Sequence, residues 1–541
     1  MKKMFVFVPL AALLLAACDN MSETNALSSQ KSRKISSRNL AINRSNAYND
    51  LFLDSVTVEN FITEKKIPDS ISFRMRSFYN SRNFEFAWFS SEGLTEQARG
   101  FWNLYNNHLS TTDDTVLRNK DFIKRMKSLV TKDTIYPSAK NKNYVAAELL
   151  LTSQFIRHTL VAYDKDYVKR KEMERFIPAQ KLDPVYLADS LLNKKHKDEK
   201  YYENVNPTYG LLKEKLKEYV NIQKQGGWPL LKSSRKPIKK GTSSPTVALV
   251  KKRLQLTGDY SAGDTSQVFD ERLEESVKHF QKRHGLTPDG IVSEGTIAEM
   301  NVPVRKRIEQ LLINMDRMRW LPREYDGRFI LVNIPAFKLH VMENKNEIFD
   351  MDVVVGKEGN NTRIFTGDLN QVVFNPYWNV PQSIVEKEIV PAMEKDPDYL
   401  EKENMEVTGN DEEGVPVVRQ LPGEKNALGR IKFLFPNSFD IYFHDTPAKS
   451  LFKKEKRAFS HGCIRLSEPV KLAAYLLKDQ GWTEQKIEDA MNRDDEKFVK
   501  LKDAVPVLIT YYTAWVDDNG QLNFREDIYD HDADMARKMF L

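Results

Sequence analysis

The spacing of apolar positions changes twice along the chain. Between residues 49 and 240 it is helical. "NYVAAELLLTSQFIRHTLVAY" has a broad apolar face and no β-branched run, which predicts a helix. "NPTYGLLKEKLKEYVNIQKQGGWP" starts on turn residues, runs as an amphipathic helix and stops at Gly226-Gly227, with Pro229 beyond. No chemistry stands out there, and 49–240 is expected to be a helical scaffold. In 241–302 Val247, Val250 and Leu254 share one helical face, Leu273, Val277 and Phe280 a second, and "HGLTPDGIVSEGTIAEMN" adds a turn and a third short helix. Residues 303–320 continue as a helical connector. From 328 the period becomes two. "RFILVNIPAFKLHVMENKNEIFDMDVVVG" places β-branched runs around Glu-Asn-Lys-Asn and reads as a hairpin. "QVVFNPYWNVP" and "FDIYFHD" read as further strands, and "PVLITYYTAWVDDNGQLNF" as strands joined at Asp-Asn-Gly. A mainly β domain is therefore expected over 321–541, interrupted at about 381–430. Ser383 to Glu386 resembles a capping box opening "SIVEKEIVPAMEKDPDYL". An insertion of this size between strands is either a lid or a loose excursion.

The first residues follow another logic. Lys2 and Lys3 precede an apolar run, Phe5 to Leu15, too short to span a bilayer. Small residues then lead to Cys18 in Leu15-Ala16-Ala17-Cys18, as in a signal peptide. A cysteine at the first mature position resembles a bacterial lipobox. That resemblance implies a leader over 1–18, lipid on the Cys18 sulfur and a protein exported into the cell envelope, facing the periplasm. The alternative is an ordinary signal peptide with an incidental cysteine. Residues 19–48, rich in Ser, Asn, Lys and Arg, are expected to form a flexible tether reaching on the order of 30 Å.

Composition narrows the function. At 541 residues, 41% hydrophobic and 29% charged, the chain can form several ordinary cores. A net charge of +6 over this length is no argument for nucleic acid, and zinc-finger, Walker and dinucleotide motifs are absent from the sequence. There are 2 cysteines, Cys18 and Cys463. With Cys18 lipidated, Cys463 has no partner within the chain, so it is either reactive or an intermolecular pairing site.

Cys463 lies in "RAFSHGCIRLSEP". His444 ends the strand-like "IYFHD", and a loop with Lys453, Lys454, Lys456 and Arg457 separates the two. A thiol attacks as thiolate, and an imidazole can take its proton. Gly462 removes a side chain beside the sulfur, and the N–H groups of Gly462 and Cys463 could face an oxyanion, where one donor is worth about a hundredfold in rate. Arg465 adds positive charge that favours thiolate and suits a substrate carboxylate. Other readings stay open: a core cysteine, a solvated histidine, or a zinc set of His444, His461 and Cys463 that lacks a fourth ligand. His279 and His284, five apart, do not share a helical face, and no metal is expected there.

Longer strings carry a resemblance. "LVKKRLQLTG … VFDERLEESVKHFQKRHGLTPDGIVSEGT" resembles the three-helix peptidoglycan-binding domain. His444, fifteen intervening residues and then Ser-His-Gly-Cys-Ile-Arg resemble the signature of YkuD-type L,D-transpeptidases. "NPYWNVPQSI", "RQLPGEKNALGRIKFLFPN" and "IYFHDTP" are similar to their larger YcbB-like branch. The fold implied is multidomain α+β: a helical scaffold (49–240), a three-helix peptidoglycan-binding domain (241–302), a helical connector (303–320) and a mainly β catalytic domain (321–541) whose helical and loop insertion (381–430) caps the active site. The activity implied is acyl transfer without metal or organic cofactor. Cys463 attacks the third residue of a tetrapeptide stem, and His444 serves as base and then as acid toward departing D-alanine. The thioester passes to a side-chain amine of a second stem, or to water in an L,D-carboxypeptidase. Ser460, His461, Gly462 and Arg465 would form the oxyanion hole and support the site. Asp445 or a loop carbonyl would orient His444. Tyr442 and Trp378 would line the substrate groove, although both suit sheet packing equally. Arg419 and Asn426, in the capping segment with Gly429, are further candidates for substrate binding. The partners implied are stem peptides and glycan, the membrane through Cys18, and other wall enzymes.

Two features depart from the family. Many YkuD-type enzymes have Asn where Arg465 stands, although the YcbB-like branch also shows Arg, and that branch does not require a lipobox. Papain-like peptidases place Cys before His, the reverse of the order here, and a serine transpeptidase would need Ser-Asp-Asn and Lys-Thr-Gly, which are missing. The rival from another class is a non-catalytic wall-binding lipoprotein, for which 49–302 would suffice.

Overall fold

The computed structural model describes residues 35–541 except 113, 133, 163–176, 194–206, 233–235, 262 and 321–326. The leader, Cys18 and the first part of the expected tether lie outside the described residues.

Of the first helices, Ser55–Glu64, Asp69–Ser81, Glu96–Thr111, Lys120–Val130 and Lys142–Ala162, the first, third and fourth start where a side-chain oxygen holds a free amide, while Asp69–Ser81 starts after Pro68 without one. Asp54 accepts from Thr57 N at 2.6 Å and Asn119 from Phe122 N at 3.0 Å. With the small ribbon β1 (Phe89–Ser90) and β2 (Gly93–Leu94) they enclose an aromatic core around Trp88, Phe101, Phe122 and Phe155. Glu148 enters this core from the Lys142–Ala162 helix. It accepts from Ala87 N at 2.7 Å, Trp88 N at 3.0 Å and the Tyr79 hydroxyl at 3.1 Å.

Part of the expected tether is docked. Ser36 N donates to Ser77 Oγ at 3.1 Å, Asn39 N to Asn80 O at 2.8 Å, and Ile42, Ala47 and Tyr48 are buried. The polar composition concealed three apolar anchors in this stretch.

Helices Pro245–Leu256, Glu271–Arg283 and Glu294–Asn301 pack around Val250, Leu254, Leu273, Val277 and Phe280. This core also takes in Leu231 and Ile238, and Ile238 bridges to Val292, so the unit draws on residues ahead of 241. His279 bonds Asp259 at 2.9 Å and Gln521 at 2.7 Å, while His284 stacks on Phe280.

The hairpin read at 328–356 is three strands, β3 (Arg328–Asn333), β4 (Lys338–Glu343) and β5 (Asn346–Gly356). The additional reversal sits at Ile334–Ala336, with Phe337 left-handed at φ 53°. Then come β6 (Phe365–Phe374), β7 (Trp378–Asn379), β8 (Met405–Asn410), β9 (Pro416–Gln420), β10 (Ile431–Leu434), β11 (Phe443–His444), β12 (Ala458–Ser460), β13 (Ile464–Leu466) and β14 (Lys497–Thr510). Among the described residues nine strands form one sheet in the order β12-β5-β13-β11-β10-β6-β14-β3-β4. The long β5 also pairs with β4, so the sheet closes on itself and few backbone edges are left open. Its inner face holds Val353, Val372, Phe433, Phe443 and Ile464, with helices Pro469–Leu477 and Glu484–Met491 packed on the same core.

The insertion is a folded cap. β7, β9 and β8 make a small sheet over Val380, Ile384, Val385, Ile389 and Val418. The expected capping box does not form: the helix begins at Gln382 after Pro381, with no side-chain cap, and Ser383 lies inside it. A π-helical turn, Val385–Ile389, precedes Pro391, whose ring and missing N–H disrupt regular α-helical bonding.

The expected β domain ends early. The main sheet stops at Thr510, and β15 (Ala514–Val516) with β16 (Leu522–Phe524) is a separate hairpin. With helix His531–Met539 it joins the core of helices Pro184–Leu192, Pro207–Lys224 and Val304–Met318. Asn314 of the connector exchanges two hydrogen bonds with Thr513, at 2.7 and 3.0 Å. These strands bury their apolar sides on helices, a partner that alternation alone does not specify.

Burial raises the Glu148 carboxyl to about 7. The folded state therefore holds a proton that the unfolded chain releases near its ordinary value, so stability falls as pH rises from about 4.5 to about 7. Glu148→Gln is expected to flatten this slope in thermal melts; an unchanged slope would contradict the assignment.

Candidate active site

Strands β11 and β13 run parallel, pairing Phe443 with Ile464 and His444 with Arg465. Ile464 N donates to Tyr442 O at 3.2 Å, which brings Cys463 beside Tyr442. Strand alternation turns Phe443 and Ile464 into the core and places Tyr442, His444, Cys463 and Arg465 together on the opposite face. β10 adds Lys432, the antiparallel partner of His444.

The Cys463 thiol points at Asp440 O, 3.7 Å away. Asp440 is left-handed at φ 53°, which helps turn the chain at the thiol. The main chain and the phenol of Tyr442 also bond the sulfur, and Lys432 and Arg465 lie close enough to attract a thiolate. Burial outweighs these effects and raises the thiol above its ordinary value. His444 is also buried, and burial together with the Arg465 and Lys432 charges lowers it to about 3. At neutral pH the site therefore holds a neutral thiol and a neutral imidazole capable of accepting a proton. Among the described residues, Asp440, Tyr442, Lys432 and Arg465 are the thiol's polar neighbours. His444 is a diagonal neighbour on the adjoining strand, not a direct hydrogen-bond partner.

His444 Nδ1 donates to the main-chain carbonyl of Asp445 at 2.5 Å, and the Leu428 main chain also faces the ring. Of the two orienting groups considered, the carbonyl is the one used. The Asp445 carboxylate instead accepts from Arg430 N at 2.9 Å and pairs with Lys449. Gly429 lies against that carboxylate at φ 61°, and a Cβ would overlap it.

The turn before Cys463 is held by its own atoms and by Thr362. Gly462 adopts φ 116°, a region that favours glycine. Its N–H donates to Ser460 Oγ at 3.2 Å, so this amide is not the free oxyanion donor expected. Ser460 Oγ in turn donates to Cys463 O at 2.5 Å, and Thr362 Oγ1 to Gly462 O at 2.8 Å. His461 points away from the thiol and bonds Glu388 at 2.8 Å, joining the turn to the π-helical segment of the cap. Arg465 Nε is buried and, among the described residues, has no hydrogen-bond partner.

The cap residues divide. Trp378 bonds the Tyr442 phenol and so reaches the site. Arg419 does not: it pairs with Glu406 and lies over the Tyr377 ring, 4.3 Å from its centroid. Asn426 is also excluded from substrate contact, because its enclosed amide donates to Pro376 O at 3.1 Å and Leu421 O at 2.9 Å and its oxygen accepts from Leu428 N at 2.8 Å.

Lys432 was missed in the sequence. Its ammonium lies 3.9 Å from the Tyr442 ring centroid, between thiol and imidazole in charge terms. The signal was a single basic residue alternating with apolar ones in "IKFLF".

Comparison with known proteins matches three segments. Residues 327–500 match the family "L,D-transpeptidase catalytic domain" (YkuD), 74–216 a "Scaffold domain", and 243–300 a "Putative peptidoglycan binding domain". A protein of Haemophilus influenzae named "Putative L,D-transpeptidase" is 34% identical over 251 residues, 43% of this chain. The match spans 50% of that relative's length. An L,D-transpeptidase structure from Mycobacterium smegmatis is 16% identical, covering 34% of this chain and 58% of its own, with TM-score 0.20. One from Stackebrandtia nassauensis is 16% identical over 50% of this chain and 94% of its own, with TM-score 0.22.

Because the thiol is raised, its alkylation by iodoacetamide is expected to accelerate steadily from about pH 6 to about pH 8. A plateau below about pH 7 would indicate a preformed thiolate. Lys432→Met, which removes one stabilising charge, is expected to slow alkylation roughly threefold to tenfold at fixed pH. Equal rates would remove Lys432 from the site.

Proposed function

Residues 327–500 form a YkuD-type L,D-transpeptidase catalytic domain, in a chain that also carries a peptidoglycan-binding domain, and on that premise we propose that the protein cross-links peptidoglycan by cysteine-dependent acyl transfer. The observation that carries the reading is the common sheet face of Cys463, His444, Arg465 and Lys432 beneath a folded cap.

The proton of the Cys463 thiol passes to neutral His444 as sulfur attacks the carbonyl of the third stem residue. The tetrahedral oxyanion collapses, the bond to D-alanine breaks, and His444 returns the proton to the departing amine. The thioester then reacts with a side-chain amine of a second stem, releasing the Cys463 sulfur. Because the thiol starts neutral, deprotonation and attack are coupled, and Lys432 and Arg465 stabilise the negative charge as it develops. The unpaired Arg465 Nε suits a substrate carboxylate. The Cys463 N–H, beside an amide already taken by Ser460, is the remaining candidate in this turn for the oxyanion. Tyr442 and Trp378 form the wall beside the thiol. The lipobox-like Leu15-Ala16-Ala17-Cys18 supports a membrane anchor on Cys18, with the enzyme facing the wall. Water as acceptor gives the carboxypeptidase outcome.

Incubation with tetrapeptide-containing muropeptides is expected to give cross-links between third residues, and Cys463→Ala to abolish them. A carbapenem is expected to add covalently to the wild type and not to the variant, by intact-mass spectrometry. Cross-linking that survives in Cys463→Ala would overturn the reading. Released D-alanine without cross-links would favour the carboxypeptidase.

A further inference from the structure

A cavity of about 290 Å³ lies between the helical unit and the main sheet, lined on one side by Arg99, Trp102 and Trp320 and on the other by Arg363, Phe365 and Tyr511. Neither Cys463 nor His444 lines it. Arg99, Arg317, Arg363 and Lys538 line this space against Glu96 and Asp534, an excess of positive charge that favours an anion. Arg99 makes the point most clearly. Among the described residues its guanidinium has no hydrogen bond or ion pair. Burial lowers it to about 10, and the Arg363 charge adds to that. Of the lining carboxylates, Glu96 is held by Arg317, itself in the lining, and only partly offsets the lowering at Arg99, while Asp534 is paired with Arg537. Asn361 Oδ1, also in the lining, is buried and has no hydrogen-bond partner among the described residues. Trp102, Trp320, Phe365, Phe439, Tyr511 and Tyr512 give part of the wall flat apolar surface beside these charges.

We propose that this cavity binds a small oxyanion carried on an apolar, ring-sized body, with Arg99 holding the anionic group and Trp102 and Trp320 holding the body. The volume lies at the lower end for small-molecule sites, which begin at about 300 Å³, and suits a ligand of one ring rather than a glycan or peptide. A guanidinium fork recognises carboxylate and phosphate alike, so the anionic group has two possible sources.

Calorimetric titration of the full chain with phenylphosphate and, separately, phenylacetate distinguishes them, the tighter binder identifying the group. Saturable binding of at least one is expected, roughly tenfold or more tighter than inorganic phosphate and roughly tenfold or more weaker in Arg99→Met. Arg99→Met should melt no lower than the wild type without ligand, because it removes an unpaired charge. Asn103→Phe, which fills space beside the cavity, should weaken binding without touching the charge, and it decides the matter if Arg99→Met does not fold. No saturable binding of either probe, equal affinity in the variants, or inorganic phosphate binding as tightly as the aromatic probes would each overturn the proposal.

Discussion

The parallel pairing of β11 with β13 is the contact on which the site depends. It fixes His444 opposite Arg465 and Cys463 beside Tyr442, and the two-residue period of a strand does the rest. Phe443 and Ile464 are driven into the core, so their neighbours in sequence must face away from it. A slip of one residue would turn the thiol and imidazole into the apolar core and Phe443 and Ile464 out of it, and packing of the core face therefore defends the register. Parallel strands also require a crossover, and the 445–463 connection supplies one. Its end is the nucleophile turn, tied by Ser460 and Thr362 rather than left as a free loop.

Electrostatics then decide the resting state. Burial pushes thiol and imidazole toward their neutral forms, and the nearby cations only partly compensate at the thiol while lowering the imidazole further. The charges of Lys432 and Arg465 are thus only partly felt by the resting thiol, which stays neutral beside them. A resting neutral thiol also reacts less readily with adventitious electrophiles.

Around this centre the modules share cores instead of hanging from linkers. The connector helix Val304–Met318 packs with the helical unit and with residues 512–540, and Arg283 of the peptidoglycan-binding helices donates to Leu522 O at 3.2 Å. The cap is attached at the site by Trp378 on Tyr442 and by Glu388 on His461, so its position is felt directly by the nucleophile turn.

The sequence by itself determined the periods, and with them the helical and strand regions, the Ser-His-Gly-Cys turn and the pairing of a scarce thiol with a strand-end histidine. These are local signals: alternation and spacing act over a few residues, and Cys463 and His444 were legible as candidate nucleophile and base on that ground. Only the tertiary structure decided which candidate groups have atoms to spare. Asn426 and the Gly462 amide looked available until their partners were visible, and Lys432 looked like any surface lysine until β10 paired with β11. Likewise, residues 39–48 and 512–540 read as tether and sheet, yet both bury apolar side chains on helices far away in sequence. Hydrogen-bond satisfaction and burial depend on neighbours brought together by the fold, and no window along the chain contains them.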